Sequence, residues 1–412
     1  MHTNEFKRNL EKYVELGVKV GVNVQKGQRL VISAPVSALD IVRMAAKSAY
    51  EAGAKDVYLD WHDDVITRLK YDMAPDEAFD EFPLWRAKGY EEMAAEGAAF
   101  LYYRSANPEL LKGVNPDRLA AARRVQGAAM KNFKNAQMAD QVSWSIQSIP
   151  SPSWAAKVFP DLPEEEAMAK LWDNVFKATR ADQDDPVAAW NDHLDILRTK
   201  AALLNEKKYK ALHYQAPGTD LTVELAPGHL WIAGESFNAQ GDMFVANIPT
   251  EEVFTAPLRE GVNGTVRNTK PLNFGGNVID GFTLTFKDGR IVDFSAETGY
   301  DTLKSLIDTD DGSHYLGEVA LVPHRSPISE TNLIFFDTLY DENASNHMAI
   351  GTAYAFSVEG GKQMTKEQLA AQGLNDSLVH VDFMIGSEQM NIDGITADGK
   401  REPIFRNGNW AE

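Results

Sequence analysis

The sequence predicts an α/β N-terminal domain with a mainly parallel sheet and helices, followed by an α+β C-terminal domain rich in antiparallel strands. Three observations support this prediction. The chain has 412 residues, more than one hydrophobic core usually supports. Apolar runs alternate with helical segments in the first half, whereas Asp-Gly turns separate alternating strands in the second. A polar stretch that ends at Pro186 resembles a boundary, so we predict domains at residues 1–185 and 186–412.

The order of strand-like and helix-like segments in the first half is typical of βαβ units. Apolar runs of strand type lie at residues 29–33, 57–60 and 99–103. Between the first two runs, Ser37 with Asp40 three residues later predicts a helix start, and Gly53 predicts the end of that helix. Strands separated by helices indicate a mainly parallel sheet.

A nucleotide-binding role is the first hypothesis for such a domain. Asp60, at the end of the second predicted strand, could act as a ribose-binding acid. The turn at residues 34–37 contains no glycine, however, and therefore no phosphate-cradling loop. We interpret the N-terminal domain as a scaffold.

The second half begins with a long amphipathic helix. Its apolar residues fall at alternating spacings of four and three. They are Trp190, Leu194, Leu197, Ala201 and Leu204. Further on, the pairs Asp288-Gly289 and Asp398-Gly399 lie between strand-like segments and predict tight hairpins, which favours antiparallel strands in this domain.

Composition excludes several classes of function. The formal net charge is −19, so the basic footprint of a nucleic-acid-binding protein is missing. The absence of cysteine excludes disulfides, thiolate nucleophiles and cysteine zinc sites, and it fits a reducing cytoplasm. We see no signal core at the N-terminus and no run near the ~18 apolar residues of a membrane span. We therefore expect a cytoplasmic protein with neither nucleic-acid nor membrane partners.

The strand-like run 378–385 carries a histidine and an aspartate two residues apart. Side chains at this spacing point to the same face of a strand, so His380 and Asp382 project together. Such a pair could bind a metal ion, or the polar face could simply meet solvent. The run alone fits both interpretations.

Further carboxylates and a histidine lie in nearby segments. Glu342 and His347 are five residues apart, close enough for a turn to bring them to one site. Glu318 lies in an apolar strand-like run, where a carboxylate is costly unless it is paired or coordinated. Glu251 and Glu252 follow another apolar run and are, by themselves, more typical of a protein surface than of a metal site.

Together these segments offer donors for paired cations. The set is Glu252, Glu318, Glu342, His347, His380 and Asp382. Two imidazoles and four carboxylates suit two Zn²⁺, Mn²⁺ or Co²⁺ ions, and carboxylates can bridge ions about 3.5–4 Å apart. The chain has no HExxH motif, so the pattern indicates a metal centre without identifying its chemistry.

At these residues the sequence resembles the metallopeptidase family that includes thermophilic aminopeptidase T, aminopeptidase S and the PepS aminopeptidases. The resemblance covers essentially the whole chain. The matching blocks are NIPTEEVFTAP from Asn247, GEVALVPHRSPIS from Gly317, NLIFFDTLYDENASNHMAIGTAY from Asn332 and HVDFMIG from His380.

The resemblance implies that all six residues are metal ligands, with Glu252 chosen over Glu251. It also implies a role in catalysis for Tyr354, a homodimer of two-domain subunits, and a site in the C-terminal domain that faces an enclosed cavity. Peptides are the implied substrates. Which ligands bridge the two metals is left open, and Tyr354 could instead pack beside the site.

The expected function is a two-metal aminopeptidase. Metal-activated water would attack the peptide bond, with Glu318 as first and Glu252 as second candidate for moving the proton, and Tyr354 stabilising the oxyanion. Two alternatives keep the metal centre: another metal-dependent hydrolase, such as a carboxypeptidase or amidase, or a metal-binding protein without turnover.

Overall fold

The computed structural model describes residues 4–105, 107, 110–274 and 277–411. The α-helices of these residues are α1 (Asn4–Leu16), α2 (Leu39–Ala52), α3 (Asp64–Met73), α4 (Leu84–Ala95), α5 (Pro116–Ala129), α6 (Lys131–Met138), α7 (Pro152–Val158), α8 (Glu164–Ala178), α9 (Pro186–Lys207), α10 (Tyr300–Ile307), α11 (Thr338–Glu342) and α12 (Lys366–Ala371).

The β-strands of the same residues are β1 (Arg29–Pro35), β2 (Asp56–His62), β3 (Ala99–Arg104), β4 (Trp144–Ser148), β5 (Ala211–Ala216), β6 (Thr219–Leu225), β7 (Ser236–Phe237), β8 (Met243–Phe244), β9 (Asn247–Ile248), β10 (Val253–Thr255), β11 (Pro257–Arg267), β12 (Leu272–Phe274), β13 (Asn277–Ile279), β14 (Thr283–Lys287), β15 (Arg290–Ser295), β16 (Leu316–Leu321), β17 (His347–Gly351), β18 (His380–Met384), β19 (Asn391–Ile395), β20 (Arg401–Arg406) and β21 (Asn409–Trp410).

The chain divides into two compact units. The first comprises Met1–Asn191 with Glu235–Ile248, and the second comprises Asp192–Gly234 with Pro249–Glu412. The boundary after residue 185 stays a prediction. Within the described residues, no helix combines the length and apolar composition needed to cross a bilayer.

The first unit contains a parallel sheet with strand order β2-β1-β3-β4-β9. The three predicted strands are all present, with longer bounds. β1 is largely buried, as is usual for a parallel strand with helices on both faces. The α/β fold class predicted for this part of the chain is confirmed.

Helix α2 shows where local sequence signals succeed and fail. Gly53 ends the helix in the left-handed conformation, with φ of 100°, as predicted. The predicted start at Ser37 is wrong, because residues 36–38 form a 3₁₀ turn and the α-helix begins at Leu39 with no side-chain cap. The chain leaves β1 through this turn, so the α-helix begins one residue later than an N-cap at Ser37 would place it.

The second unit is built mainly from antiparallel strands, as predicted. One sheet has the order β15-β14-β11-β6-β5-β19-β20-β21, and another has the order β10-β16-β17-β18. Inward-facing residues of both sheets contribute to one apolar core, which includes Leu212, Val266, Val319 and Phe383. The predicted helix is α9, and all five residues of its apolar stripe are buried.

Both predicted hairpins form. β14 pairs with β15 around Asp288-Gly289, and β19 pairs with β20 around Asp398-Gly399. Asp288 and Gly289 both have positive φ, 49° and 80°, as a type I′ turn requires.

The two turn glycines differ in their surroundings, which allows a matched stability test. A Cβ added to Gly289 would lie 1.8 Å from the Arg259 carbonyl oxygen, whereas at Gly399 it would meet no described atom within 4 Å. We expect Gly399→Ala to cost about 1 kcal/mol through backbone strain alone and Gly289→Ala to cost about 3 kcal/mol. Denaturant unfolding measures both, and equal losses would contradict the steric explanation.

Candidate metal centre

Strands β16, β17 and β18 carry the site on one face. In the register of this sheet, Glu318 lies opposite Ala349, and Ala349 lies opposite Asp382. Directly paired residues of neighbouring strands project to the same face. The two carboxylates therefore flank a methyl group, which leaves space between them.

The two predicted histidines extend this face by one step. His347 precedes Ala349 by two residues, and His380 precedes Asp382 by two, so each projects with its neighbour. The alternate residues of these strands point the other way, and Met348 and Phe383 enter the apolar core. The alternation of polar and apolar residues predicted for residues 378–385 is present. The apolar face of the strand packs into the core and thereby holds the polar face in position.

Glu318 meets both imidazoles. Its Oε1 is 3.6 Å from His347 Nε2, and its Oε2 is 3.4 Å from His380 Nε2. His347 Nε2 is also 3.0 Å from Glu252 Oε2, and His380 Nε2 is 3.5 Å from Asp382 Oδ1. Two donor groups result, Glu252-Glu318-His347 and Glu318-His380-Asp382, each with its atoms within 4.8 Å of one another. Glu318 belongs to both.

The remaining acids approach from outside these three strands. Glu252 immediately precedes β10, and Glu342 is the last residue of α11. Among the described residues, neither donor group includes Glu342, but its carboxylate interacts electrostatically with Asp382 and Glu252. Glu251 points elsewhere: its Oε2 is 3.6 Å from His193 Nε2.

Backbone carbonyls orient both imidazoles. His347 Nδ1 donates to the carbonyl of Ser345 at 3.0 Å, and His380 Nδ1 donates to the carbonyl of Thr352 at 2.8 Å. This arrangement directs each Nε2 towards the carboxylates. Histidines that bind metal ions are commonly held in this way, because the hydrogen bond fixes both the tautomer and the ring orientation.

Burial and mutual charge shift the proton affinities of the cluster. Burial raises the pKa of Glu252 and Glu342, and neighbouring carboxylates raise them further. Burial alone would lower the pKa of His347 and His380, but the facing carboxylates raise both values well above the usual range. Burial also opposes ionisation of Glu318, yet hydrogen bonds from both imidazoles hold its pKa below the ordinary value. Cations entering here would replace protons, so their binding is linked to proton release.

The donor set fits divalent cations. His347 is 1% exposed, Glu318 5% and Glu252 8%, and such burial of like charges is costly without compensating positive charge. In the described part of the chain, the buried Asp382 Oδ1 has no hydrogen-bond partner. Imidazole nitrogens with carboxylate oxygens are ligands that Zn²⁺, Co²⁺ and Mn²⁺ accept.

Tyr354 lies beside the second donor group. Its ring centroid is 4.6 Å from that of His380, and it stacks on Phe356 at 5.1 Å. Burial raises the pKa of Tyr354 well above the ordinary value, and the nearby carboxylates raise it further. The phenol therefore stays protonated and can donate a hydrogen bond.

Sequence reasoning missed Asn343. This fully buried side chain accepts from the Glu251 backbone N–H at 2.7 Å and donates to the Leu339 carbonyl at 2.9 Å. It thereby connects the segment that carries Glu252 to the helix that carries Glu342. The sequence shows that Asn343 is next to Glu342, but it does not show the hydrogen-bond partners of an asparagine, because these depend on tertiary structure. The role of the Ser345 and Thr352 carbonyls could not be predicted from the sequence, because every residue has a backbone carbonyl.

The chain is similar to known proteins over nearly its whole length. A family model described as thermophilic metalloprotease (M29) matches residues 6–410. The chain is 58% identical to aminopeptidase 2 of Geobacillus stearothermophilus over 408 residues, 99% of each chain. It is 57% identical to aminopeptidase AmpS of Bacillus subtilis (strain 168), covering 99% of this chain and 100% of that one. The solved structure of wild-type AmpT from Thermus thermophilus superposes with a TM-score of 0.93 at 44% identity, covering 99% and 100% of the two chains.

Proposed function

Because the chain belongs to the thermophilic metalloprotease (M29) family and is a metallo-aminopeptidase, we propose that it holds two divalent cations with Glu252, Glu318, Glu342, His347, His380 and Asp382. The observation that carries this proposal is that two donor groups share one residue, Glu318. A carboxylate with an oxygen in each group is the arrangement expected of a bridging ligand. Glu342 would complete the set from the end of α11.

Zinc, cobalt or manganese is the proposed metal. When bound, these cations would supply Lewis acidity and a water of lowered pKa. The protein would supply the rest: an apolar layer behind the ligands that restricts their movement, fixed imidazole tautomers, and groups that move protons. Metal analysis of the purified protein identifies the native ion.

Proton transfer is proposed for Glu252 in preference to Glu318. Both oxygens of Glu318 face imidazoles, whereas Glu252 approaches His347 through Oε2. A carboxylate engaged at both oxygens is poorly suited to accept and return a proton. The Glu252 carboxylate would take the proton of the attacking water and deliver it to the departing amine.

Tyr354 is the proposed donor to the oxyanion. Replacing Tyr354 by Phe keeps the stacking on Phe356 but removes the hydroxyl, so we expect kcat to fall roughly a hundredfold with little change in KM. Phe356→Leu is the matched control, since it disturbs the packing and keeps the phenol. If the control loses as much activity as Tyr354→Phe, or if Tyr354→Phe is as active as the parent, Tyr354 is a packing residue.

Selectivity for the N-terminus requires a partner for the free amine. A cation of the pair could bind the neutral amine, or one carboxylate of the cluster could accept a hydrogen bond from the ammonium. We expect an aminoacyl amide to be hydrolysed and its N-acetyl derivative to be untouched, because acetylation removes both interactions.

Metal titration tests the proposal as a whole. Protein freed of metal by a chelator is titrated with Zn²⁺, Co²⁺ or Mn²⁺, and hydrolysis of the free and acetylated substrates is followed. Activity that saturates at two equivalents per chain, for the free substrate alone, supports the proposal. Saturation at one equivalent contradicts the paired centre, and cleavage of the acetylated substrate contradicts recognition of the free amine.

A homodimer in the cytoplasm is also proposed. The family resemblance supports the dimer, and the cysteine-free composition supports the reducing compartment. Sedimentation of the purified protein and fractionation of cells measure the two properties separately.

A further inference from the structure

A second candidate site lies in the first unit, in a cavity of about 330 Å³. This volume is within the range of about 300–1,000 Å³ typical of small-molecule sites. Its floor is a row of residues across the parallel sheet: Asp60 pairs with Ser33, Ser33 with Tyr102, and Tyr102 with Ile146. Helices α4, α5 and α6 supply the remaining walls.

The cavity lies at the switch point of the sheet. β1 pairs with β2 on one side and with β3 on the other, so the chain reverses its direction of winding there. In open α/β sheets, ligands bind at the carboxyl ends of the strands at this point. Arg104 is the last residue of β3 and projects with Tyr102, two residues earlier, so a charged group lies at the expected edge.

The charge available in the cavity is positive. Asp60 Oδ2 accepts from Arg86 at 2.6 Å and from the Tyr90 hydroxyl at 2.6 Å, which satisfies this acid. Arg104 and Lys134 also line the cavity, and neither forms an ion pair with any residue that the structure describes. Two cations with no ionic partner among the described residues therefore share one concave site, in a chain whose net charge is −19.

The rest of the lining is apolar and aromatic. Phe82, Met130 and Phe133 contribute side chains, and Phe133 packs edge-on against Tyr90 at 4.9 Å. An apolar wall beside two cations suits a ligand with an acidic group on a hydrophobic body. Two observations disfavour a nucleotide as the ligand. The Asp60 carboxylate already accepts hydrogen bonds from Arg86 and Tyr90, and the turn at residues 34–37 contains no glycine.

We propose that this cavity binds a small organic acid, with the acidic group at Arg104 and Lys134 and the hydrophobic body against Phe82 and Phe133. A carboxylate or a phosphate ester provides the oxygens that these donors recognise. Every residue of the site belongs to the first unit, whereas all the candidate metal ligands belong to the second.

Calorimetry with the metal-loaded protein tests the site using four chemically matched probes. Phenylacetate and phenyl phosphate carry the acid, phenylacetamide has the shape of phenylacetate without its charge, and inorganic phosphate has the acid without the hydrophobic body. We expect saturable binding of at least one aromatic acid, with phenylacetamide and inorganic phosphate at least roughly tenfold weaker. The tighter of the two acids identifies the preferred acidic group.

Matched variants distinguish this cavity from the metal centre, which could also bind acids. Lys134→Gln and Arg104→Gln should each weaken binding roughly tenfold or more. Lys131→Gln, on the same helix but outside the lining, should have no effect. Arg104 and Lys134 are both exposed, so both variants should fold normally. Absence of binding, equal binding of phenylacetamide, binding unchanged in Lys134→Gln, or an equal loss in Lys131→Gln would each overturn the proposal.

Discussion

Replacing Glu318 by glutamine is expected to lower kcat/KM by at least roughly a thousandfold, which corresponds to about 4 kcal/mol of transition-state stabilisation. Glu318 is the residue shared by both donor groups, with one oxygen facing each imidazole. Glutamine keeps the shape but offers one oxygen and an NH₂ group, which cannot bind a cation. The loss should therefore include metal content as well as turnover.

The matched control is Glu260→Gln, which removes a carboxylate from β11 whose side chain is 76% exposed. Metal analysis, kinetics and unfolding are measured on both proteins. We expect the control to resemble the parent and Glu318→Gln to unfold cooperatively with reduced metal. Normal metal content together with near-normal turnover in Glu318→Gln would reject the bridging role.

Two neighbouring glutamates provide a second large effect. Glu252→Gln is expected to reduce kcat/KM at least a hundredfold or so, since Glu252 belongs to a donor group and is the proposed proton carrier. Glu251→Gln should stay within about tenfold of the parent, because Glu251 faces His193 instead. Both residues are buried and adjacent, so burial alone does not distinguish them.

The kinetic pattern separates the two roles of Glu252. If it mainly carries the proton, excess metal should leave the Glu252→Gln defect in kcat unrepaired. If it acts as a ligand alone, excess metal should restore kcat. A greater loss in Glu251→Gln than in Glu252→Gln would reverse the assignment and place the ligand one residue earlier.

The sequence predicted most of the fold because its signals are local. Both Asp-Gly hairpins, the α9 stripe and the end of α2 at Gly53 follow from a few adjacent residues. The start of α2 was missed because a 3₁₀ turn precedes it, and no residue type separates such a turn from the first turn of an α-helix.

Only the local part of the candidate site could be predicted from the sequence. The pairing of His380 with Asp382 follows from the period of a strand. The juxtaposition of Glu318 with Asp382 across Ala349 depends on the register of three strands from distant parts of the chain, which spacing cannot reveal. The assembly of all six residues rested on the family resemblance, and nothing in the sequence indicated the cavity beside Arg104.

The alternation of β17 and β18 has a consequence for how the centre could come apart. Met348, which follows His347 in β17, and Phe383, which follows Asp382 in β18, are wholly shielded from solvent in the apolar core. Fraying of a loop would therefore leave the donors of β17 and β18 where they are. Slow hydrogen exchange and slow escape of captured ions should go together, because both require the same cooperative opening of the unit.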